Sequence, residues 1–331
     1  MTVTEVIPRS GSNPTGEVDI SFDNYVSARS RKFEKHWVGG IPDYAYASDF
    51  ALRQKIKAIP GAYRIFKALN SQVVPQMKQQ YNMSGTKVTP NQFPQIYQVA
   101  RECADMLGIG MPAVYIQPDP SVMNAFTYAV EDAEPIVVIY SSMLERLNID
   151  ELKAVIGHEC GHIHNMHGVY NTAAEILLNT AQNTLLLTIP GIRQLLALVS
   201  RPLQFALLAW SRAAEVTCDR AGVLCSGEAE STISVQAKLS SGGILNADTL
   251  NIEELLEQYD VMRDNPNRFF EWSSTHPHSV RRIMAAREFM NSQVYYDWHR
   301  EQKRPDMRLY SKQELDARCD RIVSVTKSEK R

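Results

Sequence analysis

The sequence of 331 residues has no excess of charge of either sign and few cysteines. Thirty-five basic residues against 37 acidic residues leave a formal net charge of −2, so no global electrostatic field favours nucleic acid or anionic lipid. The five cysteines are widely spaced and odd in number, and a chain of this length can bury a core without disulfides. We therefore expect no nucleic-acid partner and a reducing compartment.

The sequence also lacks the hydrophobic signatures of export and of membrane insertion. Its first residues do not contain the basic and then apolar run of a secretory signal, which favours the cytoplasm as the location. The strongly apolar stretch 173–210 is interrupted by Asn179, Asn183, Pro190 and Arg193. Because a spanning helix needs about 20 mostly apolar residues, we expect a buried or interfacial helical pair here, with membrane contact open but not favoured.

Composition and periodicity divide the chain into four segments. Residues 1–20 are rich in small and polar residues and are predicted to be a disordered tail. Residues 21–85 have apolar residues near helical spacing, which predicts an N-terminal helical extension broken at Pro60 and Pro75. Residues 86–300 carry the chemistry, and the charge-rich segment 301–331 is predicted to be a C-terminal tail or helix.

The central segment contains both helical and strand patterns. The apolar residues of 91–107 fall on one helical stripe, and Gly108 follows as a stop signal. The β-branched runs 113–117 and 136–140 are predicted to be strands of a small sheet. Further helices are predicted over 148–166, 203–225, 252–263 and 277–299. The predicted fold class is therefore α+β and mainly helical.

The segment His158-Glu159-Cys160-Gly161-His162 indicates a metal site. Because a helix turns once in 3.6 residues, the two histidines lie on one face and can reach one ion. Glu159 projects beside that face, where it can accept a proton from metal-bound water without binding the metal. A solvated polar helix face is the alternative. The apolar residues before the motif favour a buried setting, in which these polar groups without a metal would be costly to desolvate.

A catalytic zinc needs a third protein ligand, and a third histidine does not fit the spacing. The pattern HExxHxxGxxH fails because Asn165 and Gly168 stand where it requires Gly and His. His164 and His167 fall at the wrong offsets for ligands. We expect these two histidines to be polar residues at the helix end or hydrogen-bonding partners of the ligands.

Two downstream glutamates, Glu175 and Glu215, remain as candidates for the third ligand. Glu215 is followed four residues later by Asp219, which a helix places on the same face one turn on. A carboxylate there can hydrogen-bond a ligand histidine and fix its tautomer. Glu175 is followed at the same interval by Asn179, so we favour Glu215. Cys160 and Cys218, although close in sequence to these residues, are expected to be small buried side chains without a catalytic role.

The segments HExxH, SRAAEVTCD and STHPHSVRR, in this order, resemble the HtpX-like metallopeptidases of family 48, which include the eukaryotic CAAX prenyl proteases. The resemblance covers roughly 90–290 and implies a gluzincin-type fold with a small sheet whose edge strand binds peptide. It also implies that Glu215 is the third zinc ligand and that Asp219 completes the family's ExxxD motif. Ser211 and Arg212 match the serine and arginine that precede this motif.

The same resemblance implies a substrate site and a second catalytic residue. Asn124, Ala125 and Phe126 look like the family motif that opens the peptide-binding strand, with an ordinary turn residue as the alternative for Asn124. His276 matches the histidine that stabilises the transition state, with a neighbour of a helix N-cap as the alternative. Arg282 matches a following arginine that contributes to substrate binding, with a surface ion pair as the alternative.

The sequence therefore predicts a zinc-dependent metalloendopeptidase with one Zn²⁺ per chain, acting on peptides or unfolded proteins. The resemblance extends this to a role in protein quality control. Two alternatives stay open: a peripheral membrane protease of the same chemistry that docks through 173–210, and an inactive zinc-binding regulatory module. Glu159 argues against the second alternative, because an inactive relative is expected to lose this base first.

Overall fold

The computed structural model describes residues 36–130, 133–179, 191, 194, 201–243, 250–263 and 279–323. This part of the chain is mainly helical and carries two small β-sheets, which confirms the predicted α+β fold class. The predicted tail 1–20 and the predicted catalytic residue His276 lie outside the described residues. The division of the chain into four segments stays a prediction.

The described ranges contain helices from the N-terminal extension to the C-terminal segment. The α-helices are α1 (Ala47–Lys57), α2 (Ala62–Ser84), α3 (Pro94–Leu107), α4 (Ser141–Arg146), α5 (Ile149–His164), α6 (Gly168–Asn179), α7 (Arg201–Ser226), α8 (Glu230–Ser240), α9 (Ile252–Arg263), α10 (Ser279–Met290), α11 (Gln293–Trp298) and α12 (Lys312–Val323). The β-strands are β1 (Trp37–Val38), β2 (Ile41–Pro42), β3 (Thr86–Lys87), β4 (Ala113–Gln117), β5 (Ala125–Val130) and β6 (Ala133–Tyr140).

The larger sheet has the strand order β3-β4-β6-β5. Strands β4 and β6 run parallel, whereas β3 pairs with β4 and β5 pairs with β6 in the antiparallel sense. The predicted strands 113–117 and 136–140 are confirmed, and β6 begins earlier than predicted, at Ala133. Strand β5 ends this order and is thus an edge strand of the described sheet, and it begins directly after Asn124.

Pro60 and Pro75 in the N-terminal extension have different effects. Pro60 lies between α1 and α2, as predicted. The sequence also predicts a break at Pro75, but α2 continues through it, so this prediction is wrong. An interior proline costs a helix about 3 kcal/mol or more. Phe66, Leu69 and Val73 bury one face of α2 in a core shared with α6 and α7, and this burial outweighs the lost hydrogen bond.

The apolar stretch 173–210 is described at its two ends and, between them, only at positions 191 and 194. Its first residues continue α6 to Asn179, and its last residues begin α7 at Arg201. Ala173 and Leu207 from these ends are buried in the core shared with α2. None of the described helices combines the length and the apolar character needed to cross a bilayer.

Helices α5 and α7 approach each other closely because glycines occupy the contact face of α5. A Cβ atom at Gly157 would lie 2.6 Å from Cβ of Cys225, and one at Gly161 would lie 2.7 Å from Cβ of Ala221. Carbon atoms that are not bonded do not approach this closely, so a larger side chain at either position would push the helices apart. The crossing brings the HExxH segment against the residues of the ExxxD motif.

The N-terminus of α5 is fixed by a capping box. The side chain of Asn148 accepts hydrogen bonds from the backbone N–H groups of Asp150 and Glu151, and Glu151 accepts one from the N–H of Asn148 at 2.8 Å. Lys238 of α8 lies 2.8 Å from the same carboxylate, which joins α8 to this end of α5. Caps of this kind contribute about 1 kcal/mol each, and this one sets where α5 begins.

Candidate metal centre

Two helices bring the three predicted metal ligands together. His158 and His162 stand one turn apart on α5, and Glu215 comes from α7. Nε2 of His158 lies 3.5 Å from Oε2 of Glu215, and Nε2 of His162 lies 3.6 Å from Oε1 of the same carboxylate. Each imidazole therefore faces one oxygen of the same carboxylate.

The spacing of these donor atoms fits a tetrahedral zinc ion. Bonds of about 2.0–2.2 Å from zinc to nitrogen and oxygen place two donors of a tetrahedral site about 3.3–3.5 Å apart. The observed separations of 3.5 and 3.6 Å are close to that value. Two histidines and one carboxylate, with a fourth position left for water, are a donor set that catalytic zinc sites use. The residues present therefore fit the ion that the sequence predicts.

Cys218 is a further metal-binding atom near this point. Its Sγ lies within 4.8 Å of a ring nitrogen of each of His158 and His162, and it is 3.6 Å from Nδ1 of His167. Burial, followed by the charge of Glu215, raises the pKa of the Cys218 thiol well above its usual range. Glu215 fits the zinc without loss of a thiol proton, so we favour it over Cys218 as the third ligand.

Asp219 contacts the predicted ligand His158. Its Oδ1 lies 3.0 Å from Nδ1 of His158, so it accepts the proton on that nitrogen and leaves the lone pair of Nε2 for a metal. Although burial raises it, the adjacent Arg282 holds the pKa of Asp219 below its usual value. Asp219 is therefore an ionised acceptor behind one ligand.

Arg282 of α10 connects the two carboxylates of α7. It donates to both oxygens of Asp219 at 2.6 and 2.8 Å, and its Nη1 lies 3.0 Å from Oε2 of Glu215. Gln236 of α8, with its amide oxygen turned toward Arg282, accepts from Nη2 at 3.0 Å. The buried guanidinium of Arg282 is therefore held against the carboxylates of Asp219 and Glu215. The predicted role of Arg282 in substrate binding stays a prediction.

The charges of the described site favour a cation at the ligands. Although burial lowers it, Glu215 and Asp219 raise the pKa of His158 to about 10. The cavity wall carries three carboxylates, those of Glu159, Glu215 and Asp219, and one guanidinium, that of Arg282. With His158 neutral, as a metal ligand must be, the formal charges of these four groups leave a negative excess of two, which a divalent cation balances.

Glu159, the predicted base, is held by a residue that sequence analysis missed. Thr127 of β5 donates to Oε2 of Glu159 at 2.7 Å and lies 3.2 Å from its backbone oxygen. Side chains alternate along a strand, and the neighbouring Phe126 and Tyr128 pack instead on Tyr81 of α2. Thr127 directly follows the Asn-Ala-Phe segment, which is the only signal in the sequence that could have identified it.

His162 also has a hydrogen-bonding neighbour on the side away from Glu215. Its Nδ1 lies 3.2 Å from Nδ1 of His167, which follows α5. Nδ1 of His164 lies 2.9 Å from the hydroxyl oxygen of Tyr44. In these contacts His167 is a hydrogen-bonding partner of the predicted ligand His162, and His164 is a buried polar residue at the end of the helix.

A cavity of about 480 Å³ includes the three predicted ligands in its wall. Asn124, Ala125 and Phe126 line it at the start of β5, and Met77 and Tyr81 of α2 line it as well. The predicted peptide-binding segment and the predicted ligands therefore face the same space. Peptide binding by this segment stays a prediction.

Two residues from the sequence analysis have no described position in the site. His276, predicted to stabilise the transition state, lies outside the described residues. The side chain of Glu175, the competing third ligand, is not described either, although α6 passes through its position. Their roles stay predictions.

Comparison with known proteins relates the segment that carries these residues to a peptidase family. A sequence profile described as Peptidase family M48 matches residues 90–290. The plastoglobule-localized metallopeptidase 48 of Arabidopsis thaliana chloroplasts is 33% identical over 262 residues, which cover 76% of this chain and 74% of that protein. An HtpX protease homologue of Bifidobacterium longum is 28% identical over 234 residues, which cover 63% of this chain and 75% of that protein. No solved structure gives a significant match.

The matched segment 90–290 is more than half of the chain and includes the HExxH and ExxxD residues. The resemblance to HtpX-like metallopeptidases is confirmed by the homologues that carry that name. Peptidases of this family are metallopeptidases that in general depend on zinc. On the profile match and the plant relative together, this chain belongs to peptidase family M48.

Proposed function

We propose that this chain is a zinc-dependent metalloendopeptidase with the gluzincin arrangement of ligands, in which His158, His162 and Glu215 hold one Zn²⁺. The observation that carries the proposal is the convergence of two imidazole nitrogens on one carboxylate, at 3.5 and 3.6 Å. When bound, the Zn²⁺ acidifies a water molecule and polarises the scissile carbonyl.

Glu159 is the proposed general base and acid. Its carboxylate lines the cavity beside the ligands, and Thr127 donates to its Oε2 at 2.7 Å. In this role Glu159 accepts a proton from the attacking water as the carbon–oxygen bond forms. It then returns that proton to the amide nitrogen as the carbon–nitrogen bond breaks. The bond to Thr127 holds one carboxylate oxygen still, so the other can face the water.

The edge strand β5 is the proposed binding site for the substrate backbone. An edge strand can add an extended peptide through main-chain hydrogen bonds. The cavity beside β5 is walled by Met77 and Tyr81 of α2 and by Val235 and Leu239 of α8. A site with a strand on one side and helices on two others accepts an extended segment more readily than a folded domain. We therefore propose unfolded or extended protein segments as substrates, consistent with quality control.

The test of the proposal combines metal analysis with cleavage. Purified protein is expected to contain about one zinc per chain and to cleave a disordered protein such as casein. A chelator should abolish cleavage, and added Zn²⁺ should restore it. Glu159→Gln should keep its zinc and lose turnover by orders of magnitude, whereas Glu145→Gln, at an exposed glutamate, should behave as wild type.

Three results would contradict the proposal. These are wild-type protein that takes up no zinc, cleavage that survives removal of zinc, and Glu159→Gln with full turnover. Zinc-loaded protein that cleaves no unfolded substrate would instead support the regulatory-module alternative.

A further inference from the structure

A buried chain of polar contacts leads from the ligand His162 into the N-terminal part of the molecule. Nδ1 of His162 lies 3.2 Å from Nδ1 of His167, and Nε2 of His167 lies 3.0 Å from Oδ2 of Asp49 on α1. His162 is 4% exposed, Asp49 is 1% exposed and His167 is fully buried. Solvent therefore does not compete for these hydrogen bonds.

The carboxylate of Asp49 determines where the protons of this chain lie. Trp210 donates to its Oδ1 at 2.8 Å, and the hydroxyl of Thr217 donates to its Oδ2 at 2.7 Å. These two donated hydrogen bonds favour the ionised form of the Asp49 carboxyl group. An ionised carboxylate only accepts, so a neutral His167 must carry its proton on Nε2.

This arrangement fixes the tautomer of the ligand. With its proton on Nε2, His167 presents the lone pair of Nδ1 to His162. His162 must then carry its own proton on Nδ1, because two facing lone pairs at 3.2 Å would repel each other. That tautomer directs the lone pair of Nε2 toward Glu215, where the metal would bind.

We infer that His167 and Asp49 are positioning residues that set the tautomer and orientation of His162 as a zinc ligand. The other ligand, His158, contacts the carboxylate of Asp219 directly, whereas His162 reaches a carboxylate only through His167. Asp49 precedes the segment that matches the family profile, so the N-terminal extension supplies part of the metal centre of this chain. The inference rests on the proposed zinc site.

Two substitutions at His167 separate its two hydrogen bonds. In His167→Asn the amide oxygen takes the place of Nδ1 and keeps an acceptor for His162. In His167→Gln the amide takes the place of Nε2, keeps the bond to Asp49 and loses that acceptor. Zinc dissociation constants of the full-length proteins, measured by competition with a chromophoric chelator, should be about 10 to 100-fold weaker for His167→Gln. His167→Asn should stay within about threefold of wild type, because its acceptor remains.

A matched control separates positioning from general loosening of the core. Leu69→Ala removes a fully buried side chain from the core that α2 shares with α6 and α7. It should lower Tm while zinc affinity stays within about threefold of wild type. Wild-type zinc affinity in His167→Gln would overturn the inference. An equal loss of affinity in Leu69→Ala would overturn it too, because the effect would then follow from loosening.

A second measurement needs no variant. Ring nitrogen chemical shifts of the wild-type protein should show His167 protonated on Nε2 and His162 protonated on Nδ1. The opposite tautomer of His167 would overturn the inference. Wild-type protein that binds no zinc would contradict the proposed function itself, whereas zinc binding that is indifferent to His167 would contradict this inference alone.

Discussion

The hydrogen bond from Thr127 to Glu159 gives a test of how the base is held. Thr127→Val keeps the shape of a side chain that is 3% exposed and removes the hydroxyl that donates to Oε2 of Glu159 at 2.7 Å. A hydrogen bond to a charged group contributes about 1.5–3 kcal/mol. If its loss frees the carboxylate to leave its reactive orientation, kcat falls by about 10 to 150-fold, since each 1.36 kcal/mol is about tenfold in rate.

The assay compares Thr127→Val with Thr127→Ser, which keeps the hydroxyl. Both variants should retain wild-type zinc content, because Thr127 has no described contact with the predicted ligands. Steady-state cleavage of a fluorogenic peptide should show a lower kcat for Thr127→Val, with KM little changed, and near-normal kcat for Thr127→Ser. Unchanged kcat in folded, zinc-loaded Thr127→Val would refute the reasoning, and so would an equal loss in Thr127→Ser.

Three further predictions use other parts of the structure. Glu215→Ala should reduce zinc occupancy, measured by metal analysis, whereas Glu175→Ala should not; the reverse outcome would move the third ligand to α6. Gly161→Ala places a Cβ at 2.7 Å from Cβ of Ala221. It should lower the free energy of unfolding, measured by urea titration, by about 1–3 kcal/mol. A variant as stable as wild type would show that the two helices can move apart without cost. Burial raises the pKa of Asp49, but His167 and its other polar neighbours lower it to about 2 in the folded chain, below its usual value of 3.8. Ionisation of Asp49 therefore contributes about 2–3 kcal/mol to stability above pH 4, and this contribution is lost as pH falls toward 2. The stability difference between chelator-treated wild type and Asp49→Asn should therefore shrink between pH 4 and 2, and a difference independent of pH would contradict the assignment.

The parts of the site that sequence predicts are those fixed by helical periodicity. His158 and His162 are four residues apart, and so are Glu215 and Asp219, so each pair lies on one face of its own helix wherever that helix packs. Which histidine meets which carboxylate depends on how α5 crosses α7. Gly161 permits that crossing. A glycine inside a predicted helix is not, however, enough to predict that another helix packs against it.

The contacts that sequence could not predict join residues far apart in the chain. Asp49 reaches His167 only because α1 packs on α7, and Thr127 reaches Glu159 only because β5 lies beside α5. The continuity of α2 through Pro75 has the same origin, since packing overrides a local preference there. Periodicity therefore predicted the elements and the ligand pairs, whereas tertiary packing determined the groups that orient them.

The close crossing of α5 and α7 has a consequence for which ions the centre can accept. Because Gly157 and Gly161 have no side chains, the small side chains of Cys225 and Ala221 on α7 pack directly on the backbone of α5, and this packing sets the distance from the histidines to Glu215. A large ion such as Ca²⁺ prefers bonds of about 2.3–2.6 Å and more oxygen ligands, and it would require the two helices themselves to separate. An ion with bonds of about 2.0–2.2 Å needs only small rotations of side chains that already face each other. Helix packing thus favours small ions over Ca²⁺ at this centre, in addition to the preference set by the chemistry of the donor atoms.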